Sequence, residues 1–134
     1  MDTILVDTSV WVNYFKDIET DACKFLSNNF TSIIIATCPT IVQEILQGIV
    51  TDADEQIINL YFDNLTRLTE DPYAMANEAA ELYRTLRKKG ITVRKPNDCL
   101  IAAYAIKNGI ILLHDDRDFS LIAQYSTLKI MDFN

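Results

Sequence analysis

Ile110-Ile111-Leu112-Leu113-His114-Asp115-Asp116-Arg117-Asp118-Phe119 (IILLHDDRDF) is the stretch that decides the fold. Four apolar residues in a row, with no polar alternation, read as a strand buried on both faces. Parallel sheets covered by helices need such strands. The run gives way at once to Asp115, Asp116 and Asp118, so the acids stand at the strand's carboxyl end. In an open parallel sheet that end lines the ligand crevice. Three acids in four residues repel one another, and the expectation is that at least one faces a cation.

Working outward, the pattern recurs. Thr3 to Val6 (TILV) is a short apolar β-prone run that ends at Asp7. Ser32 to Thr37 (SIIIAT) reads as a second buried strand, with shorter strands expected around Leu65 to Leu68 and Leu128 to Met131. Between them run helical signals. Trp11, Tyr14 and Phe15 recur at helical spacing. Asp21 to Asn28 buries Ala22, Phe25 and Leu26. Pro39-Thr40 opens a helix carrying Glu44. Asp52 is expected to cap a helix towards Asn64. Asp71-Pro72 starts a helix to Lys89 with Ala76, Ala79, Tyr83 and Leu86 on one face and Gly90 as its stop. Pro96-Asn97-Asp98 begins a nearly apolar helix that ends at Asn108-Gly109, and Asp118 to Gln124 forms a last short one. Strands alternating with helices predict an α/β fold, a three-layer α/β/α sandwich around a central parallel sheet.

The 134 residues suit a single domain over 1–134, large enough to bury its own core. The 3 cysteines, Cys23, Cys38 and Cys99, form no CxxC and lie in apolar stretches, so reduced buried thiols are expected rather than a zinc site. The start MDTILVDTS lacks a basic leader, and no apolar run approaches membrane-spanning length. A soluble, cytoplasmic protein without a membrane role is the expectation.

The net charge of −7 argues against nucleic-acid binding through global charge. Yet no acid falls between Leu82 and Asn97, and six of the 12 basic residues do: Arg84, Arg87, Lys88, Lys89, Arg94 and Lys95. They are either a solvated helix end, which the helix dipole favours, or a phosphate-binding rim beside the acidic crevice.

Five acids stand where apolar runs meet loops or helix starts: Asp7, Glu44, Asp98, Asp116 and Asp118. Gathered in one crevice they cannot all ionise without a cation, and oxygen ligands suit Mg²⁺ or Mn²⁺. Each has a structural alternative. Asp7 could cap the following helix, but Thr8 or Ser9 could do so equally well, which frees Asp7 for chemistry. Ser9 could orient a water or a phosphate, or simply cap. Glu44 suits an early helical turn on dipole grounds alone. Asp98 competes with Asn97 for a cap, and its place at the mouth of an apolar helix is the strongest single signal. Arg117 could pair with an acid or touch phosphate. The single His114 excludes paired-histidine ribonuclease chemistry within one chain. No GxxxxGK[ST] or GxSxG occurs, which removes a P-loop and a serine-hydrolase elbow.

VDTSVWV (6–12), VQEILQG (42–48), NDCLIAAYA (97–105) and LLHDDRDF (112–119), in that order, resemble the PIN-domain pattern, and within it the VapC-type toxins of prokaryotic toxin–antitoxin pairs. The resemblance covers nearly the whole chain. It implies a Mg²⁺- or Mn²⁺-dependent endoribonuclease that hydrolyses tRNA or another structured RNA, a homodimer, and a VapB-type antitoxin that enters the active-site groove. Asp7, Glu44, Asp98 and Asp116 match the acidic quartet, and Asp118 a further, more peripheral acid. Asp115 adds a charge where a neutral or basic residue is more usual. The mechanism this implies has Asp7, Asp98 and Asp116 hold the metal, Glu44 position it or the attacking water, and Ser9 lend a hydroxyl. Arg94, Lys95 and Arg117 are the expected substrate contacts. Three rivals remain open at this point: a metal-dependent phosphatase on small phosphate esters, a non-catalytic partner-binding PIN module, and a phospho-acceptor receiver domain. The last expects paired acids at the first strand, where this chain has one Asp.

Overall fold

A computed structural model describes residues 1–133; Asn134 lies outside the described residues. The strands are β1 (Thr3–Val6), β2 (Ile34–Thr37), β3 (Thr66–Arg67), β4 (Ile111–Leu113) and β5 (Lys129–Ile130). The helices are α1 (Thr8–Phe15), α2 (Asp21–Asn29), α3 (Pro39–Gln47), α4 (Asp52–Asp63), α5 (Pro72–Lys88), α6 (Pro96–Asn108) and α7 (Arg117–Gln124). The five strands form one all-parallel sheet in the order β3-β2-β1-β4-β5, flanked by the helices. The order reverses between β1 and β4, so the crevice at their carboxyl ends is the topological switch point.

Register follows from the apolar runs. Leu5 lies beside Ala36 on one side and Leu112 on the other, and all three are fully buried. The Asp7 N–H donates to the Leu113 carbonyl at 2.9 Å, which fixes the end of β1 against the end of β4. Trp11, fully buried, stacks on Phe15 and meets Phe62 edge-on, tying α1 to α4. α5 packs along α6, whose Ile101, Ala102, Ala103, Tyr104 and Ala105 are all buried.

Helix ends obey local chemistry, with some corrections. Thr51, not Asp52, caps α4, its hydroxyl accepting from the Asp54 N–H; Asp52 sits in the first turn, where the dipole favours acids. Asp71 caps α5 as expected. Gly90 and Gly109 adopt the left-handed conformation just past α5 and α6, the geometry that stops a helix at little steric cost. The buried face of α5 is Met75, Ala79 and Leu86; Ala76 is exposed and Tyr83 half-buried. On α2, Cys23 is buried in place of Phe25. α7 begins at Arg117, one residue early, because Asp116 caps it through the Asp118 N–H. No described helix is long and apolar enough to cross a membrane.

Candidate metal centre

β1 delivers Asp7. It is 3% exposed and, of the three residues that could cap α1, it is Asp7 rather than Thr8 or Ser9 that does so. One oxygen, Oδ2, accepts from the Ser9 N–H at 2.9 Å and the Ser9 hydroxyl at 2.6 Å. The other, Oδ1, is buried without a hydrogen-bond partner among the described residues. Capping and a second role therefore do not compete, because they use different oxygens.

α6 delivers Asp98 in its first turn, 2% exposed. Neither Asp98 nor Asn97 caps the helix; Lys95 holds that position without a side-chain bond. Asp98 Oδ2 is also buried and unpartnered among the described residues. Burial, then the charges of Asp7, Asp116 and Glu44, push its carboxyl up to about 7 against the pull of Lys95. Asp7 is raised as well, first by burial, despite its bonds to Ser9.

The β4–α7 turn delivers Asp116 and Asp118. Oxygens of Asp98, Asp116 and Asp118 all lie within 4.8 Å of one another. Asp118, 4% exposed, is thus interior rather than peripheral. Desolvation alone would raise Asp116, but the Asp118 N–H, Lys95 and Arg94 outweigh it and hold the carboxyl below its usual range. Asp115 points elsewhere. Its Oδ2 accepts from Asn13 at 3.0 Å and from Thr20 at 2.7 Å, and its N–H donates to Ser9 Oγ at 2.9 Å. The extra acid is therefore a tie between the turn, α1 and α2.

α3 delivers Glu44, half-buried, whose Oε1 accepts from the Thr8 hydroxyl at 2.6 Å. Its charge acts on both Asp7 and Asp98. The cations come from the segment before α6. Arg94 reaches Asp118 through Nε at 3.0 Å and Asp116 through its guanidinium at 3.1 Å, and Lys95 Nζ lies 3.2 Å from Asp116 Oδ2. The rest of the basic stretch does not form a single rim: Arg87 lies over the Tyr83 ring and Lys89 over Tyr125. Arg117 is exposed at the first position of α7, outside the ion pairs that join Arg94 and Lys95 to the acids. The His114 Nδ1 accepts from the Asp116 N–H, and burial lowers the pKa of the ring against the pull of Asp115 and Asp116.

The fold thus brings Asp98, Asp116 and Asp118 into one compact group with Arg94 and Lys95 on it, while Asp7, held by Ser9, and Glu44 act on Asp98 through their charge and lie outside that group. Sequence reasoning missed Thr8, Asn13 and Thr20. Their signal was faint, since each is a hydroxyl or amide near a helix end that pairs across many residues. All donors are oxygens, and two of them are buried and unsatisfied, which fits a hard divalent cation.

Fold and crevice together define a class: parallel α/β proteins whose switch point is an acidic, divalent-cation centre. Residues 4–125 match the PIN domain, and the chain belongs to that family. It is 38% identical over 134 residues to the VapC ribonuclease Mb1587 of Mycobacterium bovis, covering 97% of this chain and 98% of the relative. The same figures hold for ribonuclease VapC11 of Mycobacterium tuberculosis. Among solved structures it is similar to VapBC-1 of nontypeable Haemophilus influenzae, with a TM-score of 0.75 and 18% identity over 97% of both chains. VapBC2 of Rickettsia felis, bound to a DNA fragment from its promoter, gives a TM-score of 0.74 at 17% identity, covering 98% of this chain and 99% of that one.

Proposed function

We propose that residues 1–134 form a single nuclease domain, a metal-dependent endoribonuclease that is the toxin of a VapBC-type toxin–antitoxin pair. The observation that carries this reading is the group formed by Asp98, Asp116 and Asp118, whose oxygens lie within 4.8 Å of one another, beside the orphaned buried oxygens of Asp98 and Asp7. Full-length identity to two VapC ribonucleases supports the substrate class. The substrate is tRNA or another structured RNA. The partners are a VapB-type antitoxin and a second copy of the chain, in the cytoplasm.

Asp7, Asp98 and Asp116 would hold the cation, Mg²⁺ or Mn²⁺, with Asp118 alongside. When bound, it supplies Lewis acidity, making a nearby water more acidic and offsetting charge on the scissile phosphate. Glu44, held by Thr8, orients the attacking water. A carboxylate of the cluster takes the water's proton. The water oxygen bonds to phosphorus in line as the P–O3′ bond breaks, and O3′ takes up a proton from solvent, leaving a 5′-phosphate and a 3′-hydroxyl. Ser9 acts through others: its hydroxyl donates to Asp7 and accepts from Asp115, fixing the ends of β1 and β4 together. Arg94, Lys95 and Arg117 are the contacts to phosphate.

The test is end-labelled total tRNA incubated with the purified protein in Mg²⁺, Mn²⁺ or EDTA, beside Asp98→Asn and a set of mononucleotides. Discrete, EDTA-sensitive RNA fragments that the variant does not make are the expected result. Release of phosphate from mononucleotides with intact RNA would replace the ribonuclease by a phosphatase.

A further inference from the structure

We propose that Arg94 and Lys95 are exchangeable counter-ions of the acidic centre: they occupy Asp116 and Asp118 in the metal-free protein, and a divalent cation displaces them. The inference rests on the reading of the centre as a metal site.

The burial of the partners is asymmetric. The Asp116 and Asp118 side chains are 9% and 6% exposed, whereas those of Arg94 and Lys95 are 60% and 56% exposed. Fixed carboxylates are therefore lidded by two long, solvated side chains, which can leave without disturbing packing. The backbone need not follow. Asp118 Oδ2 also accepts from the Arg94 N–H at 3.4 Å, and the neighbouring Val93 is buried at 3%. The guanidinium can swing away while its own peptide stays in place.

The neutralisation they provide is incomplete. Both oxygens of Asp116 are engaged, Oδ1 by Arg94 and the Asp118 N–H and Oδ2 by Lys95. Asp7 Oδ1 and Asp98 Oδ2 are left with no partner among the described residues. The two monovalent groups thus make direct contacts with Asp116 and Asp118 only, and Asp98 feels Lys95 through charge alone. Asp98, Asp116 and Asp118, whose oxygens lie within 4.8 Å of one another, would hold a divalent ion that brings two positive charges to the site, including to the unpartnered Asp98 oxygen that neither side chain touches. Like-charge repulsion then drives the ammonium and guanidinium outward.

The exchange links two binding events. While paired with the acids, Arg94 and Lys95 are unavailable to an RNA phosphate, and the net field at the crevice is negative. Released, they stand at its rim as free cations. Metal therefore raises RNA affinity, and RNA must raise metal affinity by the same factor.

The experiment is calorimetric titration of Mg²⁺ into metal-free wild type and into R94Q/K95Q, with the Arg94 Nε–Hε resonance followed by NMR in the wild type. Glutamine keeps length and polarity and removes the competing charge. The variant is expected to bind Mg²⁺ about three- to tenfold more tightly, the effect of deleting modest ion pairs that the metal must otherwise break. The Arg94 resonance is expected to move towards that of a solvated arginine as Mg²⁺ saturates. Equal or weaker Mg²⁺ binding by the variant, or an unmoved Arg94 resonance at saturation, overturns the exchange while leaving the metal site intact. Absence of binding heat in both proteins overturns the exchange and the metal site together. The resonance measurement needs only wild type, so it decides the matter even if the variant folds poorly.

Discussion

Replacing Asp98 with asparagine should make the metal-free protein melt higher in mild alkali and give no such gain in acid. Burial and its acidic neighbours raise the Asp98 carboxyl from 3.8 to about 7 in the folded state. A raised carboxyl favours folding while protonated, so its contribution is fully present below the unfolded pKa and is lost as pH rises through about 7. Asp7, also raised, works in the same direction. Asp116, which is lowered, works in the opposite sense and loses its contribution only as pH falls below the ordinary carboxylate range. Between about pH 4.5 and about pH 8 the Asp98 penalty grows by roughly 2–3 kcal/mol, taking ~1.4 kcal/mol per pH unit and discounting for coupling to its neighbours. Asparagine carries no such penalty. For a chain of this size the variant's melting temperature relative to wild type should therefore swing upward by about 6–15 °C across that range. The assay is thermal unfolding in EDTA at several pH values. A melting difference that does not change with pH would refute the reasoning, because it would mean Asp98 is ionised at no cost.

Three further outcomes follow from the same geometry. Saturating Mg²⁺ should raise the wild-type melting temperature at pH 8, by about 2.7 kcal/mol of stability at a hundredfold excess over Kd, and should raise that of Asp98→Asn far less; equal shifts by differential scanning fluorimetry would count against Asp98 as a ligand. Thr8→Val removes the 2.6 Å bond to Glu44 and should lower kcat about tenfold with KM and melting temperature little changed, about 1.4 kcal/mol of transition-state stabilisation; an unchanged kcat would show that Glu44 needs no positioning. Asp115→Asn keeps the side chain's shape but weakens its bonds from Asn13 and Thr20, and should cost about 1 kcal/mol of stability. Retained Mg²⁺ affinity in a calorimetric titration would mark Asp115 as a structural tie, and a lost one would contradict that.

What could be read from the sequence was whatever depends on short range. The runs TILV, SIIIAT and IILL hold strands buried except at their first residues, as uninterrupted apolar runs lead one to expect, and Gly90 and Gly109 follow helix ends, where glycine takes a positive φ at little cost. The acids were visible because each stands at such a boundary. Strand ends came out shorter than the apolar runs, since pairing stops where the neighbour stops: Ser32 and Ile33 precede the point at which β1 begins to face β2. The rotation of α5 was misread because alanines lie on several of its faces, and of these Ala79 is buried with Met75 and Leu86 while Ala76 is exposed. The hidden part of the site is long-range. Thr8 meets Glu44 across 36 positions, and Asn13 meets Asp115 across 102. No local pattern encodes such pairs. The basic stretch looked continuous in sequence, yet the break between α5 and α6 turns Arg94 and Lys95 to the acids and leaves Arg87 and Lys89 against aromatic rings.

The most direct test of the central claim is to cleave tRNA with the purified protein in Mg²⁺ and identify the new termini by mass spectrometry. Water attack supported by the Asp7, Asp98 and Asp116 centre predicts 5′-phosphate and 3′-hydroxyl ends, with no cleavage in EDTA. Ends bearing a 2′,3′-cyclic phosphate, or cleavage that persists in EDTA, would contradict it.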